Sequence, residues 1–260
     1  MDRGDHKRYH VHAFDSRLLL ETYFSDKEEL GFIEDALRFP MMKLHSIFTQ
    51  GHVKGDSLID ISLGSAIHHL YSACGFFKEI TLLRVTETCV MELNKWRDAR
   101  TGAFDWSHTT NILTSILGDL EKSLDPETKL KAAMKPILRC DLNKENLIDP
   151  EIVPQADCVI TGCLLDVISE DESDYKRNLK KIVNLVKPGG YLMLFGILNT
   201  TYFMVGEEKF YAFKYNEKFA REALIDEGLS IDYCYVKDRK EDSKLVNHEG
   251  VIFILAHKCK

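Results

Sequence analysis

No run of this chain is apolar for the roughly twenty residues that a membrane-spanning helix needs. Its first 15 residues also lack the apolar segment of a secretory leader. Positive charge is not in excess: 34 Lys and Arg stand against 41 Asp and Glu, a formal net charge of -7. That balance argues against a phosphate-backbone partner. The seven cysteines form no CxxC pair and have no histidine at metal-ligand spacing, so they read as reduced thiols of a cytoplasmic protein without a metal site. His10, His12, His68 and His69 resemble a metal cluster only by number. Internal repeats, low-complexity tracts and linkers are missing as well. The whole chain, 1–260, is therefore expected to be one domain, with no nucleic-acid or membrane partner.

Hydrophobic residues make up 45% of the chain, ample for a packed core. They fall into two alternating rhythms. Helical spacing runs over 16–48, through Leu18, Leu19, Leu20, Tyr23, Phe24, Ile33, Leu37, Met41, Leu44 and Phe48, with Pro40 expected to divide it. Strand-like runs lie at Ser57–Ile61, Ile80–Arg84, Ile137–Asp141, Asp157–Gly162 and Tyr191–Ile197. Helices are expected near Ala66–Cys74, Cys89–Arg97, Lys129–Met134, Asp174–Val186 and Glu217–Glu227, while polar Asp98–Ser115 reads as an insertion. Lys187-Pro188-Gly189-Gly190 reads as a helix stop and turn. Two last β-rich runs, Ile231–Val236 and Val251–Ala256, suit an antiparallel edge. This alternation predicts an α/β fold, a mainly parallel sheet covered on both faces. Ligands of such sheets bind at the carboxyl ends of the strands, near the switch in strand order.

Glycine is scarce where that rule needs it. Asp56–Ser65 reads as a buried strand ending in Asp60, then a tight turn, then a helix, the entrance to a Rossmann-like βα unit. Such a turn uses glycines where backbone approaches a nucleotide cofactor, and here only Gly64 remains.

Seven segments point further: VKGDSLIDI (53–61), YSACGFFKEI (71–80), AFDWS (103–107), RCDL (139–142), ADCV (156–159), LVKPGGYL (185–192) and TYFMVGEEKF (201–210). With them the chain, from about Phe14 to its end, resembles the S-adenosylmethionine-dependent family of nicotinamide, indolethylamine (thioether) and phenylethanolamine N-methyltransferases, the first two most closely. The resemblance implies a class I, Rossmann-like methyltransferase fold: a seven-stranded mixed, mostly parallel sheet, with 14–48 as a helical cap and 1–13 as a disordered tail. It implies S-adenosyl-L-methionine as cofactor, a small amine or heteroaromatic substrate, and a monomer. Carried over position by position, the cofactor would meet Tyr23, Phe24, Asp60, Ser62, Gly64, His68, Arg84, Cys89, Asp141, Leu142 and Gly162. The substrate would meet Gly196, Thr200, Tyr202, Phe203 and Ala212. No catalytic residue is assigned, because a sulfonium is already activated and alignment can suffice.

The departures from the family pattern cluster at the cofactor. Where the family reads Asp-Ile-Gly-Ser-Gly-Pro, this chain has Asp60, Ile61, Ser62, Leu63, Gly64 and Ser65. The acid that would accept both ribose hydroxyls is Arg84, which has only donors. Hydrogen bonds to a charged group are worth roughly 1.5–3 kcal/mol each, so about a hundredfold of affinity is at stake. Leu19 and Phe24 stand where tyrosines would touch the cofactor. Gly196 and Ala212 remove two polar groups that would orient a carboxamide, so nicotinamide is expected to be a poor substrate. Asp141 and Leu142 keep the adenine end. Three readings follow: an active methyltransferase of changed preference, a non-catalytic relative binding another small ligand or a protein, or a phosphorylated-nucleotide binder gripped by Arg84. A plainer role for Arg84 as a strand-end surface charge, and for Ser62 as tolerated by a loop shift, stands beside them.

Overall fold

The computed structural model describes residues 6–12, 14–25, 34–117, 125–240 and 242–259. Seven strands form one sheet in the order β3-β2-β1-β4-β5-β9-β8. They are β1 (Ser57–Asp60), β2 (Glu79–Arg84), β3 (Leu138–Arg139), β4 (Ala156–Gly162), β5 (Val186–Leu198), β8 (Leu229–Asp238) and β9 (Gly250–Lys258). The first five run parallel, while β9 pairs antiparallel with both β5 and β8. The central strands are near-continuous apolar runs because helices cover both faces: Leu58, Ile59, Ile80, Leu82, Leu83, Cys158, Val159 and Ile160 are all buried. The order reverses between β1 and β4, and that crevice holds the site.

Among the described residues, eight α-helices surround the sheet: α1 (Ser16–Tyr23), α2 (Phe39–Thr49), α3 (Glu87–Arg97), α4 (Ser107–Leu117), α5 (Pro126–Ala133), α6 (Leu164–Ile168), α7 (Glu172–Val183) and α8 (Glu217–Asp226). Local chemistry fixes their ends. Asp15, Thr86, Asp171 and Asn216 cap helix starts by accepting the backbone N–H three residues ahead, within the first turn. α7 buries Tyr175, Leu179 and Ile182 as one stripe and leaves its charged face outside. Pro40 lies in the first turn of α2, where a missing N–H costs nothing, and a π-helical turn (Glu34–Arg38) runs into it.

Several expectations need correction. The helix expected over Ala66–Cys74 is a 3-10 turn, His68–Ser72. Half of the expected insertion Asp98–Ser115 belongs to α4, whose apolar stripe of Leu113, Ile112 and Ile116 is thin among Ser and Thr. The Lys187–Gly190 turn is a bulge inside β5: Val186 pairs with Ala156 and Tyr191 with Cys158, leaving the intervening residues looped out. The hairpin of β6 (Tyr202–Val205) and β7 (Glu208–Tyr211), and the short α6, are additions that periodicity over so few residues does not reveal. A disordered tail over 1–13 does not hold within 6–12. Tyr9 is fully buried, and Lys7 exchanges backbone hydrogen bonds with Lys209 and Tyr211 of β7.

Candidate functional site

At the carboxyl ends of β1, β4 and β5, under α1 and α2, lies a cavity of about 120 Å³. Its walls are mostly apolar: Leu19, Phe24, Phe39, Val167, Phe195, Ile197, Phe203, Val246, Val251 and Ile252. Nine of the residues proposed from sequence meet there: Tyr23, Phe24, Ser62, His68, Gly162, Gly196, Thr200, Phe203 and Ala212. Asp60, Gly64, Arg84, Cys89, Asp141, Leu142 and Tyr202 are not among its walls.

Asp60 and Arg84 are both completely buried and bonded to each other, Nη2 to Oδ2 at 2.6 Å. Arg84 also donates to the carbonyls of Asp60 (3.1 Å), Ala66 (3.2 Å) and Leu83 (2.8 Å). The other Asp60 oxygen accepts from Ser62 Oγ and from His69 Nε2, each at 2.7 Å. Burial alone would push the Asp60 carboxyl up. The charge of Arg84, then His69 and the Ser62 hydroxyl, hold it well below the carboxylate range. Both a surface charge and a phosphate-gripping arginine are thereby ruled out for Arg84, whose fork is aimed into the protein.

The turn itself is closed from two sides. Ser62 Oγ accepts the Gly162 N–H at 2.9 Å, and the Leu63 N–H donates to the Gly162 carbonyl at 2.9 Å, tying the ends of β1 and β4 together. The loop shift that would let Ser62 be ignored is therefore absent; its hydroxyl is part of the network. Gly64 adopts φ +64, and a methyl group on it would overlap Leu19 Cδ2. The bare face of the turn's one glycine is thus covered by a side chain of α1. The Gly64 N–H donates to Tyr9 Oη at 3.2 Å, and Ser16 and Ser65 share a hydroxyl–hydroxyl hydrogen bond. Cys89 lies beneath this plug, 3.6 Å from Tyr9 Oη, and is a packing residue.

Other sequence-proposed residues are placed as follows. The Tyr23 hydroxyl donates to the Leu245 carbonyl and accepts the Met204 N–H, each at 3.1 Å, latching α1 to β6. Asp141 accepts the Asn143 N–H at 2.9 Å beyond β3, and the Leu142 carbonyl accepts from Lys181 at 2.7 Å. Tyr202 turns away, towards Lys209 at 4.5 Å and His6. Thr200 Oγ1 lies 3.0 Å from Asn247 Oδ1, and Phe203 stacks on Phe210. Gly196 leaves no hole where a pocket acid would stand, because the Tyr215 hydroxyl fills the place of its absent Cβ.

Sequence reasoning missed the cavity's charged groups. Asp166, 2% exposed, accepts from Tyr215 Oη at 2.8 Å and from the Ile197 N–H at 3.0 Å. Burial pushes its carboxyl up to about 7, a rise that the Tyr215 and Ile197 hydrogen bonds only partly oppose. A lone acid inside the apolar run Leu164–Ile168 was the available signal. Asp35 is paired with Lys237 (2.7 Å) and His248 (3.2 Å). Burial works against its ionisation, and the hydrogen bonds from His248 and Lys237 outweigh it. Nothing in the spacing of these three residues marked them as neighbours.

Comparison with known proteins agrees with the architecture and sharpens it. A sequence model of the NNMT/PNMT/TEMT family matches residues 5–259. Nicotinamide N-methyltransferase of Homo sapiens is 32% identical over 252 residues, covering 97% of this chain and 96% of that protein. Indolethylamine N-methyltransferase of Mus musculus is 31% identical over 239 residues, covering 92% and 90%. Among solved structures, magnesium protoporphyrin IX methyltransferase from Synechocystis PCC 6803 with bound SAH superposes with a TM-score of 0.55 at 12% identity, covering 93% of each chain, a likeness of fold alone. The seven-stranded, mostly parallel sheet is the class I methyltransferase fold, and the chain belongs to the NNMT/PNMT/TEMT family.

Proposed function

We propose that this chain is a small-molecule-binding member of its family, taking a small amine or heteroaromatic ligand, in which S-adenosylmethionine binding is impaired. The observation that carries this reading is Leu19 seated on Gly64. Ligands of open α/β sheets bind at the strand-end turn that this side chain covers. The residues present do not fit S-adenosylmethionine: Leu19 takes its space, Ser62 has spent its hydroxyl on Asp60 and Gly162, and Arg84 neutralises the acid at the strand end. The substitutions also satisfy one another, as expected of a rebuilt core rather than of decay. A cavity of about 120 Å³ is well below the roughly 300–1,000 Å³ of sites for larger ligands.

The ligand's chemistry follows from the walls. Asp166 offers a carboxyl to an amine in otherwise apolar surroundings. Nicotinamide finds no side chain at Gly196 or Ala212 to orient its amide, and an unpaired buried amide loses affinity. Benzylamine is expected to bind at least about tenfold more tightly than nicotinamide, roughly one hydrogen bond's worth, as read by ligand-observed NMR. The protein is expected to work as a monomer.

Isothermal titration with S-adenosylmethionine tests the main claim. Weak or absent binding is expected, and micromolar binding by the native chain would sink it. A second reading, an active N-methyltransferase whose cap withdraws, is favoured by one observation: Asp141 stands outside the plug with its carboxylate partly open. Turnover of any small amine by the native chain would establish that reading instead.

A further inference from the structure

The place that a nucleoside takes in an open α/β sheet is filled here by a residue of the chain's own N-terminal segment. In such sheets the first βα turn approaches the ligand, and a residue about 20 positions on meets its ribose. Gly64 stands in that turn and Arg84 at the end of β2. Tyr9 is inserted beside them. It is fully buried, and its Oη accepts the Gly64 N–H at 3.2 Å. Cys89, in the first turn of α3, lies 3.6 Å from the same oxygen. Burial, then Cys89, push the phenol up, and Gly64 and Arg84 only partly oppose the rise, so it stays a neutral hydroxyl. It offers the turn what a ribose hydroxyl would: an oxygen, carried on a ring, for one backbone N–H. The contacts that hold Tyr9 there lie outside the core. Lys7 donates its N–H to the Lys209 carbonyl at 2.9 Å and accepts the Tyr211 N–H at 2.8 Å. Lys7 also pairs with Glu208, and Arg8 with Glu170, and all four of these side chains are at least 34% exposed.

We propose that segment 6–12 is an autoinhibitory strap: Tyr9 holds the nucleoside place of this fold, and a nucleoside binds by displacing it. The proposal rests on the reading that S-adenosylmethionine binding is impaired, and deepens it. Leu19 covers Gly64 where a Cβ would stand, and Tyr9 covers its N–H, so two separate elements close the turn. A ligand's apparent affinity falls by the fraction of chains in which its site is open. A minor open state holds about 0.1–10% of the chains, so releasing the strap is worth about tenfold or more.

The test titrates adenosine, which carries only a base and a ribose, into the full chain by NMR. Lys7→Glu with Arg8→Glu sets acids against Glu208 and Glu170. These side chains are exposed, so the change loosens the strap and leaves the core as it is. Adenosine should bind about threefold more tightly or better, a modest gain because exposed pairs are weak. Adding Glu170→Lys and Glu208→Lys restores opposite charges and should return the native affinity. Tyr9→Ala empties the place itself and should gain about tenfold or more. Adenosine bound to the native chain should speed hydrogen exchange at the Lys7 and Tyr211 amides, which tie the strap to β7. Native affinity in the Lys7 and Arg8 variant, or a gain that the opposite charges do not reverse, would overturn the proposal. So would adenosine binding with those two amides still protected. No adenosine binding by the native chain or by any variant would overturn it too, while leaving the impaired-cofactor reading in place. Micromolar S-adenosylmethionine binding by the native chain would remove that reading and the strap together.

Discussion

Arg84 shows how one substitution changes the meaning of its neighbours. Its guanidinium supplies the charge that lets Asp60 stay ionised with no solvent contact, and three backbone carbonyls accept from its two terminal nitrogens. Breaking a buried pair leaves an uncompensated charge, which costs about 3–5 kcal/mol. Arg84→Met should therefore lose about that much in urea unfolding, and Arg84→Lys nearly as much, because an ammonium cannot fork to the same acceptors. The folded Asp60 pKa is depressed, so its contribution is present above the unfolded value of about 3.9 and is lost as pH falls below it. Asp166 has the opposite sign. Its folded pKa of about 7 exceeds the unfolded one, so the stability it confers is full below about pH 4 and is lost as pH rises towards 7. At about 1.4 kcal/mol per unit this amounts to at most about 4 kcal/mol. In Asp166→Asn the amide oxygen can accept the Ile197 N–H and the NH₂ can donate to the Tyr215 hydroxyl. The variant should be more stable than the native chain at pH 8, and the gap should close towards pH 4. Urea midpoints that stay parallel across that range would count against a buried, titrating Asp166.

At the scale of elements, α1 is the deciding piece. It is only 8 residues long, too short to hold as an isolated helix in water. Tertiary contacts hold it: the Asp15 cap, Leu19 against Gly64, the Tyr23 latch, and the Gly206 N–H donating to Thr22 Oγ1 at 3.1 Å. The plug over the cofactor turn is therefore as firm as those contacts. Tyr23→Phe removes the hydroxyl that latches α1 to β6, while the Met204 N–H keeps its 2.8 Å bond to the Leu245 carbonyl, at a cost of about 1 kcal/mol. Amides of α1 and β6 should then exchange hydrogen faster, with β1 and β4 unchanged. Leu19→Ala combined with Ser62→Gly should open the turn and tighten S-adenosylmethionine by about tenfold or more in titration calorimetry. Restoring an acid at position 84 is a poor first step, since it would place a carboxyl beside Asp60 in the space the guanidinium now fills.

For the whole molecule, the sheet, the cap and the N-terminal segment share one hydrophobic core, running from Tyr9 and Leu19 through Ile59 and Val159 to Phe253 and Ile254. Trp96 and Trp106 are both buried, Trp106 beside Phe24 of the cap. Unfolding is expected to be one cooperative event, with tryptophan fluorescence and far-ultraviolet circular dichroism tracing the same urea transition. An early fluorescence change without loss of β signal would mean that the cap region melts by itself. No helix among the described residues is long and apolar enough to cross a membrane.

Much of this architecture was legible in the residue order, because secondary structure is written in local periodicity. The five parallel strands, the antiparallel edge and the cap all follow from runs of apolar residues, and the strand ends marked where a ligand site would lie. The departures at Ser62 and Arg84 were equally legible as changes of chemistry. What they do was not. Whether Arg84 faces a ligand or Asp60, whether Gly64 stays bare or lies under Leu19, and whether Gly196 is a hole or the seat of the Tyr215 hydroxyl were decided by packing. The Tyr9 bond to Gly64 joins residues 55 positions apart, and Asp166 meets Tyr215 across 49. Side chains so distant in sequence leave no local pattern, and only the close-packed core, which admits one arrangement of volumes and hydrogen bonds, brings them together.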